Sequence, residues 1–268
     1  MSYEPSSILL TDRVAIVTGA GAGIGRATAG LFARFGASLA LCDREPDGLA
    51  AAEADVAATG QPVLTQLLDV RDHDAVAAFL SAVGTRFGRV DILVNNAGGT
   101  FHSPFADLSG KGEAALVAEN FGQVTNLVRG TVPLMTNGGS IINLTSSEAH
   151  QAAPGFAVYA AMKAAVASLT RSLALELAEQ GIRVNAIAPD GMPTEGDRQI
   201  REQMLSSTAR YDPVVVPPLG YLATGEEAAA AAAFLASDLS RFITGTTLHV
   251  DGGIWAAGGW RLAGQADH

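Results

Sequence analysis

The sequence is poor in charge, and acidic residues outnumber basic ones. Only 16% of the 268 residues are charged, with 17 lysines and arginines against 27 aspartates and glutamates, for a formal net charge of -10. Nucleic acids and anionic membranes are bound through basic patches, so this balance argues against both as partners. A phosphorylated ligand stays compatible with it, because backbone amides at a helix N-terminus bind phosphate without a side-chain cation.

Cysteine and long apolar runs are also scarce. The single cysteine, Cys42, has no partner for an internal disulfide, and its place in the apolar run SLALCD predicts a buried strand residue. The opening stretch MSYEPSSILLTDR has no basic region followed by a long apolar one, so no signal peptide is predicted. No window reaches the roughly 18 apolar residues of a membrane helix. We therefore expect a soluble, cytoplasmic protein.

Several functional patterns are missing. The five histidines show no ligand spacing and no cysteine pair accompanies them, so we expect no bound metal. The sequence has neither the G-x-S-x-G turn of hydrolases nor the G-x-x-x-x-G-K-[ST] loop of nucleoside triphosphatases. Neither chemistry is expected.

Short β-branched runs alternate with longer helical patterns along most of the chain. Such alternation, with strands that are apolar almost throughout, predicts an α/β fold with one doubly wound parallel sheet and helices on both faces. Ligands bind at the carboxyl ends of such strands. No composition break marks a second domain, so residues 1–268 are predicted to form one domain. The runs predict strands at 14–19, 38–43, 63–70, 91–98, 140–146 and 182–189, and helices between them, for example at 24–35, 72–86 and 113–135.

One segment breaks this alternation. Residues 190–220 contain four prolines, several glycines and a short helical pattern around 197–208. Long loops in compact domains are usually functional lids or disordered segments. Because this one lies between the last two strand–helix units, on the ligand side, it is predicted to cover the substrate. A merely disordered excursion is the alternative.

The first predicted strand runs into the glycine-rich stretch TGAGAGIG. Glycine tolerates the positive φ of a tight strand-to-helix turn and lets a diphosphate approach the backbone, and the helix start then faces the anion. This favours a Rossmann-type dinucleotide site. The strict G-x-G-x-x-G spacing is not met, so a structural bend is the alternative. The residues concerned are Thr18, Gly19, Gly21, Gly23 and Gly25.

Asp43 ends the second predicted strand, 18 residues after Gly25. A carboxylate there accepts hydrogen bonds from both ribose hydroxyls of an adenosine and repels a 2′-phosphate, so NAD is favoured over NADP. Arg44 follows and would partly offset that preference. Asp69, ending the third strand, is a weaker candidate near the adenine. For Asp43 the alternative is a solvated strand-end acid.

Tyr159 and Lys163 lie four residues apart in the alanine-rich stretch VYAAMKAAV. This spacing puts both on one face of a helix. A phenol has a pKa of about 10, and a nearby ammonium favours the phenolate, which brings the tyrosine towards the range where it exchanges protons with a substrate. Ser146, at the end of the fifth strand, offers a hydroxyl for the substrate oxygen. Taken singly, the three residues also suit a core aromatic, a surface lysine and a turn serine.

Together these motifs resemble the short-chain dehydrogenase/reductase family. TGAGAGIG resembles its cofactor loop TGxxxGxG, NNAG at 95–98 its motif after the fourth strand, and YAAMK its catalytic YxxxK signature. Ser146 stands thirteen residues before Tyr159, as the family's catalytic serine does, and Asn120 falls where the fourth member of its tetrad is expected. The resemblance runs from about Arg13 to Gly253.

The resemblance implies a reaction and a set of site residues. Tyr159 takes the hydroxyl proton of a secondary alcohol while the hydride passes to NAD, and ketone reduction is the reverse. Lys163 also binds the nicotinamide ribose, and Asn120 helps to hold a water that relays protons. The implied cofactor contacts are Thr18, Gly19, Gly21, Gly23, Ile24, Gly25, Asp43, Arg44, Asp69, Val70, Asn96, Ala97, Gly98, Tyr159, Lys163, Pro189, Gly191 and Thr194.

The chain departs from the family pattern after the sixth strand. The family usually has Pro-Gly and then a threonine at the nicotinamide carboxamide, whereas here Pro189 is followed by Asp190 and only then by Gly191. Thr194 keeps the expected distance and is assigned the threonine's role. Asp190 is either a turn residue or a carboxylate near the substrate. Glu148, after the serine, favours a substrate with further polar groups, although a solvated glutamate is the alternative.

Two other functions stay open. One is an NADPH-dependent carbonyl reductase of the 3-oxoacyl type, and the other is a nicotinamide-binding sensor that kept the fold without turnover. The resemblance also implies a homotetramer or homodimer formed through long helices equivalent to 113–135 and 155–180. The substrate is expected to be a small-molecule alcohol or ketone.

Overall fold

A seven-stranded sheet forms the centre of the protein, in a computed structural model that describes residues 2–193 and 216–258. The strand order is β3-β2-β1-β4-β5-β6-β7, and neighbouring strands all pair in parallel. The predicted doubly wound α/β fold is confirmed. The strands are β1 (Val14–Thr18), β2 (Ser38–Asp43), β3 (Val63–Leu67), β4 (Ile92–Asn95), β5 (Gly139–Leu144), β6 (Ile182–Pro189) and β7 (Thr247–Val250).

Helices connect the strands and cover the sheet on both faces. A five-residue π-helical segment, Ala118–Gly122, joins two of them without a break. None of the helices in the described ranges is long and apolar enough to cross a membrane. The helices are α1 (Gly23–Arg34), α2 (Pro46–Ala57), α3 (His73–Phe87), α4 (Gly110–Val117), α5 (Gln123–Thr131), α6 (Ala157–Glu176), α7 (Gly225–Ala236) and α8 (Ile254–Ala257), with 3-10 turns at Pro5–Ile8, Phe105–Asp107, Val132–Leu134, Ser147–Ala149, Ala178–Gln180 and Asp238–Ser240.

Two apolar clusters, one on each face, explain why the strands read as continuous apolar runs. Ala15 and Val17 of β1 belong to the cluster under α1, α2 and α7, whereas Ile16 between them belongs to the cluster under α3, α5 and α6. Side chains alternate between the two faces of a strand, so a strand buried on both sides needs apolar residues at every position. Cys42 is fully buried, as predicted, and burial raises the pKa of its thiol to about 12.

Helix boundaries follow local sequence signals. Asp72 caps α3 by accepting hydrogen bonds from the amides of Asp74 and Ala75, and α3 ends at Gly88, whose φ of 76° is in the left-handed region. An aspartate at the N-cap satisfies amides of the first turn that have no intrahelical acceptor, and a glycine after the last turn adopts the left-handed conformation without a steric cost. Thr224 and Glu227 form a capping box at the start of α7. These signals set where α3 and α7 begin and where α3 is terminated.

The crevice between β1 and β4 is the place where the strand order reverses. β1 pairs with β2 on one side and with β4 on the other, and the chain winds outward from β1 in both directions. Ligands of open α/β sheets bind at this point, beyond the carboxyl ends of the strands. The glycine stretch after β1 and the NNAG stretch after β4 therefore meet at one edge.

The structure differs from the prediction at several elements, and β4 and β5, for example, end at Asn95 and Leu144 rather than at residues 98 and 146. β3 ends at Leu67 rather than at residue 70, because a turn closes there with the amide of Asp72 donating to the carbonyl of Asp69. The predicted helix at 113–135 is divided into α4, the π segment and α5. β7 was not predicted, since it has only four residues and its partial burial gives no apolar run.

Candidate active site

The glycine stretch after β1 makes a turn that only glycine can fill. Gly19 and Gly23 have φ angles of 63° and 51°, in the left-handed region. A Cβ on Gly25 would lie 2.0 Å from the carbonyl oxygen of Gly19, so the backbone of α1 is packed directly against the turn. The first amides of a helix have no intrahelical acceptor and face outward. The turn thus presents a backbone surface suited to an anion.

Asp43 is tied to this turn. Its Oδ2 accepts a hydrogen bond from the amide of Gly21 at 2.7 Å, and its Oδ1 accepts one from the amide of Glu45 at 2.9 Å. The carboxylate is therefore fixed beside the glycine turn at the crevice. Nearby, the side chain of Arg71 hydrogen-bonds to Asp69 and holds the pKa of that carboxyl below its usual range.

Hydrogen bonds join the two walls of the crevice. Thr18 Oγ1 accepts from the amides of Asn96 at 3.1 Å and Ala97 at 3.0 Å, and Asn96 Nδ2 donates to the carbonyls of Thr18 and Gly19. Gln123 of α5 donates from Nε2 to the carbonyl of Ala97 at 2.9 Å. Gln123 was not predicted, because its helix QVTNLVRGT holds several other polar residues and nothing in the sequence singles out this amide.

Asn120 lies fully buried in the π segment. Its Nδ2 donates to the carbonyls of Gly99 at 2.8 Å and Leu116 at 3.1 Å. Its Oδ1 is buried and accepts no hydrogen bond from the described part of the chain. π segments inside α-helices are frequent at functional sites because they redirect a side chain. A buried acceptor of this kind is costly unless something else satisfies it.

Lys163 of α6 points at the same place. A Cβ on Gly98 would lie 3.0 Å from Asn120 Oδ1 and 3.2 Å from Lys163 Nζ, so both groups converge beside this glycine. Lys163 is 5% exposed and donates to the carbonyl of Leu144 at 2.9 Å. Burial lowers the pKa of its ammonium to about 8, although Glu119 and Glu148 act in the opposite direction. The lysine therefore stays mostly charged at neutral pH.

Tyr159 stands beside that ammonium, as the i, i+4 spacing predicts. Lys163 Nζ lies 5.6 Å from the centre of the Tyr159 ring. Buried polar groups hold α6 in this position: Asn95 donates to Asn143 Oδ1 at 2.8 Å, and Asn143 donates to Thr170 Oγ1 at 2.9 Å. The chain of bonds runs from β4 through β5 to α6, so the sheet fixes the tyrosine and the lysine.

Acidic side chains flank the end of β5. Ser146, 6% exposed, donates its hydroxyl hydrogen to Glu148, and Ser147 donates to Asp190. The other oxygen of Asp190 accepts from the amide of Gly191 at 2.6 Å. The predicted serine thus has a carboxylate as its immediate neighbour.

The remaining predicted residues are less closely grouped. Pro189 ends β6, and Gly191, with a φ of 63°, packs against Pro217. Val70 and Ile24 are at least partly buried near the ends of β3 and β1. Thr194 and most of the loop predicted at 190–220 lie outside the described residues.

An apolar recess opens beside the start of α6. It includes Phe101, Leu108, Phe156 and Val158, the neighbour of Tyr159. His102 packs edge-on against Phe156, with ring centres 5.4 Å apart. The recess before Tyr159 on α6 is therefore largely apolar, whereas the carboxylates of Glu148 and Asp190 lie beside Ser146 and Ser147.

Comparison with known proteins identifies the family. A family profile described as Enoyl-(Acyl carrier protein) reductase matches residues 19–255. An uncharacterized oxidoreductase of Mycobacterium tuberculosis is 38% identical over 253 residues, which cover 91% of this chain and 93% of the relative. The chain belongs to the short-chain dehydrogenase/reductase family. The resemblance inferred from the motifs is confirmed.

Other members of the short-chain dehydrogenase/reductase family differ in what their names state. The 3-oxoacyl-[acyl-carrier-protein] reductase FabG of Chlamydia muridarum is 35% identical, over 92% of this chain and 98% of its own. A short-chain dehydrogenase of Mycobacterium paratuberculosis, solved bound to NAD, is 30% identical with a TM-score of 0.87, over 92% of this chain and 99% of its own. The protein is thus an oxidoreductase of a family that uses a nicotinamide cofactor.

Proposed function

We propose that this protein transfers a hydride between NAD(H) and a secondary alcohol or ketone, with Tyr159 as the general acid/base. The observation that carries the proposal is the convergence of Asn120 Oδ1 and Lys163 Nζ beside Gly98, next to the Tyr159 ring. Asn120 and Lys163 come from the π segment and α6 to the end of β4, and we assign Ser146, two residues after β5, to the same site. A fold alone would not require this grouping.

The described residues fit a nicotinamide dinucleotide. The turn at Gly19 and Gly25 packs closely against the start of α1, whose first amides we assign to a diphosphate. Asp43 stands at the end of β2 for the ribose hydroxyls, and Asn120 offers an unsatisfied buried acceptor. When bound, the nicotinamide accepts or donates the hydride. The protein holds and orients the reactants and moves the proton.

The proton chemistry follows from the electrostatics of α6. The Lys163 ammonium lies against the Tyr159 ring, so it stabilises the phenolate and makes the tyrosine a better base towards an alcohol. We assign Ser146 to the substrate oxygen, towards which its single hydroxyl hydrogen turns from Glu148 when the substrate binds. We assign Asn120 and Lys163 to a water that returns the proton to solvent. The residues predicted to contact the cofactor, Thr194 included, keep those roles in this proposal.

The choice of NAD rests on Asp43. A carboxylate held against the glycine turn repels a 2′-phosphate, and it is fixed there by the Gly21 amide. The NAD-bound relative agrees with this choice. The second candidate, an NADPH-dependent 3-oxoacyl reductase, is favoured by the likeness to FabG. The acidic flank formed by Glu148 and Asp190 favours a substrate with hydrogen-bond donors over an anionic one.

A substrate panel tests the proposal. Nicotinamide absorbance is followed with secondary alcohols plus NAD or NADP, and with ketones and 3-oxoacyl thioesters plus NADH or NADPH. We expect turnover of an alcohol/ketone pair with NAD(H). Turnover confined to 3-oxoacyl thioesters with NADPH would establish the second candidate instead. Tight NADH binding without turnover on any substrate would favour the sensor.

A further inference from the structure

An ion pair crosses the crevice where the cofactor is proposed to bind. Arg44 follows Asp43 at the end of β2, and Glu119 precedes Asn120 in the π segment. Arg44 Nη1 donates to Glu119 Oε1 at 3.1 Å, although 75 residues separate them in sequence. Nothing in the sequence pattern pairs these two residues.

Glu119 is set into the wall of the crevice. Its side chain is 18% exposed, against 55% for Arg44. Its Oε1 lies 3.1 Å from the position of a Cβ on Gly99, the residue after the NNAG stretch. The glutamate is therefore held against the end of β4, and the longer arginine reaches across to it from β2.

Other carboxylates near this ion pair bind the guanidinium groups of the crevice. Glu45 Oε1 lies 3.6 Å from Arg44 Nε, and Arg71 is engaged by Asp69, with Nε 2.9 and 3.0 Å from the two carboxylate oxygens. Glu119 also contributes to raising the pKa of Arg71. The two guanidinium groups at this end of the crevice are thus both bound by carboxylates.

We propose that Glu119 sets the cofactor preference of this protein by holding Arg44 away from a 2′-phosphate. An arginine close to the end of β2 accommodates the 2′-phosphate of NADP, because a guanidinium pairs with phosphate in a bidentate manner. The Glu119 carboxylate competes for the same guanidinium. It reinforces Asp43 without touching the ribose itself. This inference rests on the proposed function, since it needs a dinucleotide in the crevice.

The pair could also act as a purely structural link between β2 and the π segment. A structural link, when broken, would change the binding of both cofactors alike. A selectivity device would change NADPH binding and leave NADH binding nearly unaltered. The ratio of the two dissociation constants separates these possibilities.

The test uses Glu119→Gln, which removes the charge and keeps the size. NADH and NADPH are titrated into the full-length protein without substrate, followed by nicotinamide fluorescence. We expect NADPH to bind roughly three- to tenfold more tightly, in line with the strength of one partly exposed ion pair, and NADH to change less than about twofold. The exposed Glu113→Gln is the matched control for loss of one negative charge and should change neither value.

Arg44→Met provides the second arm. Combined with Glu119→Gln, it should cancel the gain in NADPH binding, because that gain needs the freed guanidinium of Arg44. An unchanged NADPH-to-NADH ratio in Glu119→Gln, or a gain in NADPH binding that survives in the double variant, would overturn the inference. If the wild type binds neither reduced cofactor, the proposed function itself fails.

Discussion

At the scale of single residues, the proposed mechanism depends most on the protonation state of Lys163. Its ammonium is buried, yet the only described hydrogen bond it donates is to the carbonyl of Leu144. Glu119 and Glu148 contribute charge from a distance. Burying a cation with so little compensation costs stability, and such costs are retained at sites where the charge is used.

Because burial disfavours the charged form of Lys163, we expect the stability of the protein to depend on pH. Its pKa is about 8 in the folded protein against an ordinary value of 10.5, so the unfolded chain binds more protons between these values and wild-type stability should rise over that range. The variant Lys163→Met has no titrating group at this position and therefore lacks this rise in stability with pH. We expect the stability of wild type relative to Lys163→Met to increase between pH 7 and pH 10 by up to about 3 kcal/mol.

Urea unfolding of both proteins at pH 7 and pH 10 measures this difference. Lys111→Met, at an exposed position, is the control and should show a far smaller dependence on pH. If the difference between wild type and Lys163→Met stays constant from pH 7 to pH 10, the lysine is not a buried cation.

At the scale of elements, the glycine turn and α1 act as one unit. Gly25 must lack a side chain because its Cβ position is 2.0 Å from the Gly19 carbonyl oxygen, whereas at Gly30, on the same helix, the nearest such atom is the flexible end of Arg34 at 3.6 Å. Alanine should therefore have opposite effects at the two positions.

We expect Gly25→Ala to lower the free energy of unfolding by about 1–3 kcal/mol through overpacking, and to weaken NADH binding at least roughly tenfold through the displaced turn. Gly30→Ala should be neutral or stabilise by about 0.5–1 kcal/mol, because alanine is the better helix former. Thermal melts and NADH titrations of both variants provide the comparison. Equal behaviour of the two would contradict the close packing of α1 on the turn.

Some helices and strands could be predicted from the sequence and others could not. The strands β1, β2 and β6 were predictable, since each is buried on both faces and so must be apolar throughout. β7 was not, because an edge strand of four partly exposed residues carries no such constraint. The π segment was also missed, since the residues around Asn120 fit a regular helix equally well.

The site residues likewise divide into those that the sequence predicts and those that it does not. Asp43, Tyr159 and Lys163 stand at strand ends or helical spacings that predict their position. Glu119 and Gln123 act through partners distant in the chain, Arg44 and the carbonyl of Ala97. Such pairings depend on how the elements pack, and a single sequence does not contain them in readable form.

At the scale of the whole molecule, we propose a homodimer or homotetramer. The helix named at 155–180 carries Leu175, which is 79% exposed, and Phe105, which precedes the other named helix, is 72% exposed. Apolar side chains of this size favour association. Sedimentation should give two or four times the chain mass of 27.4 kDa.

Leu175→Glu should shift this distribution towards smaller species, because a charge on each copy would be forced into the contact. A monomer in the wild type at micromolar concentration would contradict the proposed assembly. The site in one chain contains its own tyrosine, lysine, serine and asparagine, so the loss of assembly by itself leaves these four residues in place.

The central claim, that Tyr159 moves the proton, is tested most directly by Tyr159→Phe. The change removes one hydroxyl and keeps the ring against which Lys163 lies. NADH binding and turnover of the best substrate are measured on the same preparations of wild type and variant. We predict a loss of kcat by about 10²–10⁴-fold, the usual contribution of a general acid/base, with the NADH dissociation constant within about twofold of wild type. Turnover that survives within tenfold would contradict the account.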